Sequence, residues 1–370
     1  MKIAVFHNFM DNIGGAEMVG LILARELKAD FYSTNIDEEK IAKMGFSDIK
    51  LKSIGKIHIN APFRQQAALR KFRKLNLKNK YDFYIIDGDW AMSGAVNNKP
   101  NLWYVHSPIR EIWDSCQFIR QHIVPWYFRT VFDMWVWYNR YLNRKYIEHV
   151  TCIVCNSENT KQRIKKFLNK EAQIINPPID TSKFYYKDHQ NYWLSVNRLF
   201  MHKRVDLQMK AFANMPSERL IVVGSYEQSR HFQQYAKYIQ SIKPSNVEIR
   251  SWVSNNELRK LYAHCKGLIS TACDEDFGMT PVEAMASGKP VIASNEGGYK
   301  ETVIDGVTGK LINNINVDNL IKAIKDIGRN PKSYKNACLK QAKDFDTKIF
   351  IKKIKNQINA YRNNSFNPKF

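Results

Sequence analysis

The sequence predicts an α/β protein built from two doubly wound domains, and three observations carry the prediction. The chain has 370 residues, more than one ordinary core organises. It opens on a strand-like run, a glycine turn and a helical pattern, which is how a doubly wound domain begins. Near the midpoint Asn176-Pro177-Pro178-Ile179-Asp180 interrupts regular structure, because consecutive prolines exclude helix interiors and central strands, and a fresh alternation starts beyond it.

The first strand, residues 2–6, leads through a turn holding Gly14 and Gly15 into a helical pattern over 18–27. Strand-like runs recur at 31–33, 83–86, 102–105 and 152–155, and the helical segments between them imply parallel connections. A second series reads 192–196, 220–223, 247–250, 267–271 and 290–293. The expected organisation is an N-terminal domain over 1–185, a C-terminal domain over 186–345, and a final helix over 346–370. Apolar residues at helical spacing between Ile349 and Ile358 should dock that helix back on the first domain, with the residues from Asn363 onward frayed. Ligands in such sheets bind beyond the strands' C-terminal ends, so loops from both domains should line one cleft.

Composition narrows the function classes. With 44% hydrophobic and 25% charged residues the chain should fold. It has no apolar run of about 18 residues that would span a bilayer. The N-terminus enters a strand without the apolar core and cleavage site of a signal peptide, so a cytoplasmic location is expected. Cys152 and Cys155 alternate to opposite faces of a strand and have no second Cys/His pair, which argues for reduced core cysteines and no metal site.

The net charge of +22 predicts attraction to polyanions. Residues 56–80 hold many Lys and Arg and no acid, interleaved with Phe63, Leu69, Phe72, Leu75 and Leu77. Two readings stand for this segment: a basic amphipathic surface on anionic headgroups, or a solvated face. For the basic residues of 311–370 the solvated face is expected. Trp113, Trp126, Trp135 and Trp137, with Tyr127, Phe128, Phe132, Tyr138 and Tyr141, belong mainly in a core; the alternative is a wall facing lipid or acceptor, since arginines are interspersed.

Four constellations fall on strand-end loops. Gly14 and Gly15 either admit a phosphate or sugar close to the backbone or simply make a tight turn. His106, ending the run 102–105, either hydrogen-bonds a hydroxyl near a reacting carbon or is structural. Arg198 and Lys203, in the loop after the second domain's first strand, either supply a fork and a point charge suited to a leaving diphosphate or are ordinary loop charges without that role. Finally, Glu275 in a loop and Glu283 in the expected first turn of a helix bracket Phe277-Gly278-Met279-Thr280, whose N–H groups at a helix start suit a phosphate or a hydroxyl-rich ligand. Two such acids also resemble a glycosidase pair, but no other hydrolase feature accompanies them.

Taken in order, Gly14-Gly15-Ala16-Glu17, His106-Ser107-Pro108-Ile109-Arg110, Asn197-Arg198-Leu199 with Lys203-Arg204, the segment from Glu275 to Glu283, Gly297-Gly298 with Glu301, and Asp305-Gly306-Val307-Thr308-Gly309 resemble family 4 glycosyltransferases. The stretch from His106 to Trp113-Asp114 is similar to the bacterial and archaeal mannosyltransferase-like subgroup. The resemblance implies a GT-B fold, two Rossmann-like domains facing across a cleft, and retaining hexosyl transfer without a metal or other cofactor. It implies that Arg198 and Lys203 hold the donor diphosphate, Glu283 the ribose, and Glu275 with the Phe277, Gly278, Met279 and Thr280 segment the transferred sugar. His106 would lie beside the anomeric carbon, and the Gly14-Gly15 loop would close over the diphosphate or acceptor.

The partners implied are GDP-mannose, a lipid-linked saccharide acceptor and an anionic membrane surface, placing the protein peripherally on the inner face of the cell membrane. Alternatives are a UDP-hexose donor, whose base pocket would fall near Ser225 and Trp252-Val253, an epimerase or hydrolase of the same fold, and a non-catalytic polyanion-binding protein. No nucleic-acid-binding motif is present in the sequence.

Overall fold

The structure, a computed structural model, describes residues 1–57, 60, 62–224, 230–251 and 253–366. It divides into two compact units, Met1–Pro178 with Phe350–Phe370, and Ile179–Ile349.

The first unit holds a seven-stranded parallel sheet of β1 (Ile3–Phe9), β2 (Asp30–Thr34), β3 (Leu51–Ser53), β4 (Phe83–Ile86), β5 (Asn101–Val105), β6 (Cys152–Cys155) and β7 (Gln173–Ile174), in the order β3-β2-β1-β4-β5-β6-β7. Its strands are apolar on both faces because both are covered. Ala4, Phe6, Tyr84, Ile86, Trp103 and Val105 enter one core cluster; their neighbours Ile3, Val5, Phe83, Ile85, Leu102 and Tyr104 enter the other. The same alternation sends Cys155 into the first cluster and Cys152 against the second, and both are free thiols.

The second unit repeats the plan with β8 (Trp193–Val196), β9 (Leu220–Val223), β10 (Val247–Arg250), β11 (Leu268–Ser270), β12 (Val291–Ser294) and β13 (Gly309–Ile312), ordered β10-β9-β8-β11-β12-β13. The order reverses between β1 and β4 in one sheet and between β8 and β11 in the other, and these switch points are where open α/β sheets bind ligands. The final helix, Thr347–Phe366, seats Phe350, Ile351, Ile354 and Ile358 among Ile3, Val5 and Leu102 of the first unit.

Burial bears on both amphipathic segments of the sequence. Leu69 and Phe72 of the helix Phe63–Lys74 are core residues, as is Leu77, and Leu75 packs against them, so among the described large apolar residues of the basic segment only Phe63 is exposed. Several of its cations also serve the fold: Arg64 pairs with Asp11, Lys71 donates to the Ile54 carbonyl at 3.1 Å, and Arg73 reaches the Asn97 amide oxygen. The aromatic segment departs the other way. Trp113 is buried and Phe132 and Trp135 pack against the core, but Trp126, Tyr127, Phe128, Trp137, Tyr138 and Tyr141 are exposed.

Candidate active site

Each switch point carries a cluster of chemistry-bearing side chains. In the first unit His7 lies on β1, Asp87 follows β4, and His106 follows β5. Asp87 is fully buried and accepts from both imidazoles, His7 Nδ1 at 2.8 Å and His106 Nε2 at 2.9 Å. With Nε2–H committed to Asp87, a neutral His106 carries its lone pair on Nδ1. The His106 ring stands edge-on to Tyr104, with centroids 5.1 Å apart. Its carbonyl accepts from Asn156 Nδ2 at 2.8 Å and from Thr160 Oγ1, fastening the strand-end loop to the next one.

Burial is the largest single influence on His7 and lowers its pKa, but the hydrogen bond and charge of Asp87, with Glu17 and Asp89 nearby, outweigh it, so the net shift is upward. Asp89 accepts from Asn8 Nδ2 at 2.6 Å, and burial raises its pKa. The packing is close: a Cβ at Gly20 would sit 2.5 Å from Asp87 Oδ2, and one at Gly88 2.4 Å from Asn8 Oδ1.

Gly14 caps the helix Gly15–Leu27 with extended backbone that any residue adopts, so its conformation does not itself demand glycine. The neighbouring Glu17 is buried, and its Oε2 makes no hydrogen bond among the described residues. Much of the stretch after His106 is scaffold. Ile109 and Ile112 are core, Arg110 pairs with Asp114 at 2.8 Å, and Trp113 stacks on Phe167.

Glu111, in the same loop, is partly accessible, yet burial pushes its carboxyl up to about 7, aided by the charge of Asp89. An acid whose folded pKa is raised holds its proton more tightly when folded, so stability is greatest below the unfolded pKa and falls as pH rises towards about 7. Glu111→Gln is therefore expected to stabilise the protein above pH ~7 by about 1–3 kcal/mol, the lower end reflecting partial solvent access, and hardly at all near pH 4. Thermal midpoints of both proteins across that range check it.

In the second unit the loop after β8 carries Arg198, which is exposed, and Lys203, whose Nζ lies 2.5 Å from Glu275 Oε2 in the loop after β11. Neighbouring contacts hold these two loops together. Arg204, at φ 48°, donates to the Thr271 and Ala272 carbonyls at 2.8 and 3.0 Å and pairs with Glu296. Thr271 Oγ1 returns a bond to the Lys203 carbonyl, and Cys273 N–H donates to that of His202. Gly297 and Gly298 back the Glu275 loop so tightly that a Cβ at either would fall within 2.6 Å of its backbone, and Gly298 N–H donates to the Glu275 carbonyl.

The helix after this loop is Met279–Ala286, so it starts two residues before Pro281, and Glu283 stands in its second turn rather than its first. Gly278, at φ 89°, caps it, and a Cβ there would collide with Tyr299. The Phe277 side chain is core against Phe345, so this residue offers only backbone to a ligand. The unpaired donors of a helix start are those of Gly278, Met279 and Thr280, Pro281 having none. Burial raises the Glu283 pKa, opposed by the Tyr262 hydroxyl, which donates to Oε2 at 2.7 Å. Ser225 and Trp252 lie outside the described residues, whereas Val253 is buried in the core.

Residues 180–345, nearly the whole second unit, match the family model described as glycosyl transferases group 1. This chain carries a group 1 glycosyltransferase domain. The glycosyltransferase is 27% identical over 376 residues to alpha-1,3/1,6-mannosyltransferase ALG2 of Candida glabrata, an alignment covering 82% of this chain and 78% of that protein. It is 28% identical over 190 residues to the O-antigen chain mannosyltransferase RfbU of Salmonella typhimurium, covering 50% of this chain and 53% of that one, so the match spans about half of that relative. Among solved structures, Anabaena Alr3699/HepE in complex with UDP and glucose superposes with a TM-score of 0.76 at 17% identity, covering 97% of this chain and 100% of that chain. At that identity the likeness establishes the fold, which is GT-B.

The sequence reading singled out His106 but not its partners. Asp87 is followed by Gly88, Asp89 and Trp90 directly after the apolar run 83–86, and an acid at a strand's C-terminal end beside the switch point was a usable signal. His7, inside a strand, gave none.

Proposed function

We propose that this glycosyltransferase is a retaining, family 4 enzyme that moves mannose from GDP-mannose onto a lipid-linked saccharide, working peripherally at the inner face of the cell membrane. The observation that carries the reading is the Lys203–Glu275 contact at the β8–β11 switch point, which sets a cation and a carboxylate on two mutually fastened loops. A diphosphate leaving group needs such a cation, and a sugar's hydroxyls need such an acceptor. Mannose is favoured because the matched ALG2 and RfbU proteins are named mannosyltransferases.

In this reading Arg198 and Lys203 neutralise the donor diphosphate. Glu283 accepts from the ribose, and Glu275 with the backbone of Phe277, Gly278, Met279 and Thr280 holds the transferred sugar. His106 hydrogen-bonds a hydroxyl beside the anomeric carbon, and the Gly14-Gly15 turn approaches the diphosphate or acceptor. The acceptor oxygen bonds to the anomeric carbon on the face from which the phosphate oxygen departs, and the hydroxyl proton passes to that phosphate. The second reading keeps the reaction and takes a UDP-hexose, favoured by the UDP and glucose bound in the HepE structure.

Thermal shifts with a panel of nucleotide sugars, in the presence of EDTA, test the donor and the charge compensation together. GDP-mannose at about 100 times its Kd should stabilise the protein by about 2.7 kcal/mol, and turnover should persist in the chelator. Stabilisation by a UDP-hexose alone would transfer the reading to the alternative. Donor binding that appears only on adding a divalent ion would contradict neutralisation by Arg198 and Lys203.

A further inference from the structure

The segment from Ile123 to Tyr141 exposes a density of large apolar side chains that a water-soluble surface does not ordinarily carry. Trp126, Tyr127, Phe128, Met134, Trp137 and Tyr141 each leave between 54% and 78% of their surface in solvent. Side chains of this size amount to on the order of 1,000 Å² of exposed surface, above the few hundred Å² typical of the largest apolar patch on a monomer.

The helix Arg129–Ile147 explains how this arises. Its inner face is spent on the first unit's core: Val136, Leu142 and Ile147 are buried, and Asn139 joins it to the neighbouring helix by accepting from Gln66 Nε2 at 2.6 Å. Val131, Met134, Tyr138 and Tyr141 recur at spacings of three and four on another stripe, with Trp137 beside them, and all five are exposed. The turn before the helix adds Trp126, Tyr127 and Phe128, whose rings contact one another in series at 5.7 and 4.9 Å.

We propose that this aromatic stripe and turn form a docking surface for the interfacial layer of an anionic lipid bilayer, a proposal that rests on the lipid-linked acceptor read above. Two observations select a membrane as the occupant. Trp and Tyr dominate the patch, and their rings, apolar in body and polar at the tip, suit the headgroup level better than a hydrocarbon interior. Charge is complementary as well. Arg144 and Lys145 are exposed at the end of the stripe, Lys145 Nζ lies 5.9 Å from the Tyr141 ring centroid, and the whole chain carries +22. Among the described residues no helix is long and apolar enough to cross a membrane.

The test uses the full chain with vesicles of phosphatidylcholine containing about a third phosphatidylglycerol, read by cosedimentation. The wild type should pellet with the vesicles, and Trp126→Ser/Trp137→Ser/Tyr141→Ser should bind at least ten-fold more weakly while its circular dichroism and thermal midpoint stay unchanged, the three side chains being exposed. Raised salt should weaken wild-type binding without abolishing it, because the aromatic part is not screened. Equal pelleting of the triple variant overturns the proposal, as does wild-type protein that ignores vesicles and instead forms a dimer that the triple variant dissolves. Donor stabilisation, measured on the same two proteins without lipid, should be identical. Its absence from both would count against the transferase reading, and vesicle binding lost alone belongs to the docking surface.

Discussion

Lys203→Ala is expected to lower kcat/KM for glycosyl transfer by roughly 10²–10³-fold and to abolish stabilisation by the nucleotide-sugar donor, while leaving the fold in place. The expected loss is large because, in the proposed mechanism, the ammonium meets the developing negative charge on the departing diphosphate, an interaction stronger in the transition state than in the ground state. The fold should tolerate the change because the loop does not depend on this side chain. The Lys203 carbonyl still accepts from Thr271 Oγ1, the His202 carbonyl from Cys273 N–H, and Arg204 still spans to Thr271 and Ala272. The ion pair itself is partly accessible at both ends, 16% and 23%, so its loss should cost about 1 kcal/mol or less. Glu275→Ala is expected to behave alike in turnover. Steady-state kinetics with a thermal melt on each variant check the pair, and turnover near the wild-type rate in either would remove the site assignment.

What the sequence disclosed and what it withheld follow from the range of the interactions concerned. Strands in the sheet interiors announced themselves as continuous apolar runs, and 83–86, 152–155 and 220–223 match β4, β6 and β9 residue for residue, while 247–250 matches β10, an edge strand that alternates Val247 and Ile249 with Glu248 and Arg250. The strands that escaped, Leu51–Ser53, Gln173–Ile174 and Gly309–Ile312, are edge strands of two to four residues, held by one neighbour and lacking such a run. The loop residues Arg198, Lys203 and Glu275 were legible because charges beside strand ends are local signals. The fastening of one loop to the other through Arg204 joins positions 67 and 68 apart in sequence and was not. Burial of the aromatic segment was misjudged, and that of the basic one left open, for a related reason. Period alone shows that a helix has an apolar stripe, not whether another element covers it. Leu69 and Phe72 found a core, whereas Met134 and Tyr141, on the far side of a helix whose other face was already filled, did not.

The Asp87 variants carry the second large expected effect. Asp87→Ala should destabilise the first unit by about 3–5 kcal/mol, since it strips the shared acceptor from two imidazoles, one of them fully interior. Asp87→Asn is the more informative change. An amide has one acceptor oxygen and a donor nitrogen, so it can accept from only one of the two histidines, and the other must turn its lone pair to the NH2 or lose the bond. The pH dependence follows from His7, whose folded pKa lies above its ordinary value through Asp87. A raised histidine pKa contributes stability that is fully present below the unfolded value of 6.5 and is lost as pH rises through the folded one. The gap in stability between wild type and Asp87→Asn should therefore be widest below pH ~6.5 and narrow above it. Asp87 does not reach substrate in this reading; it positions His106. Its amide variant should accordingly lower kcat at least ten-fold and leave the donor KM nearly unchanged, in contrast to Lys203→Ala, which acts on the donor itself. Melts across pH combined with steady-state kinetics separate the two roles. A wild-type kcat in Asp87→Asn, with a stability gap that does not vary with pH, would leave the buried carboxylate as scaffold alone.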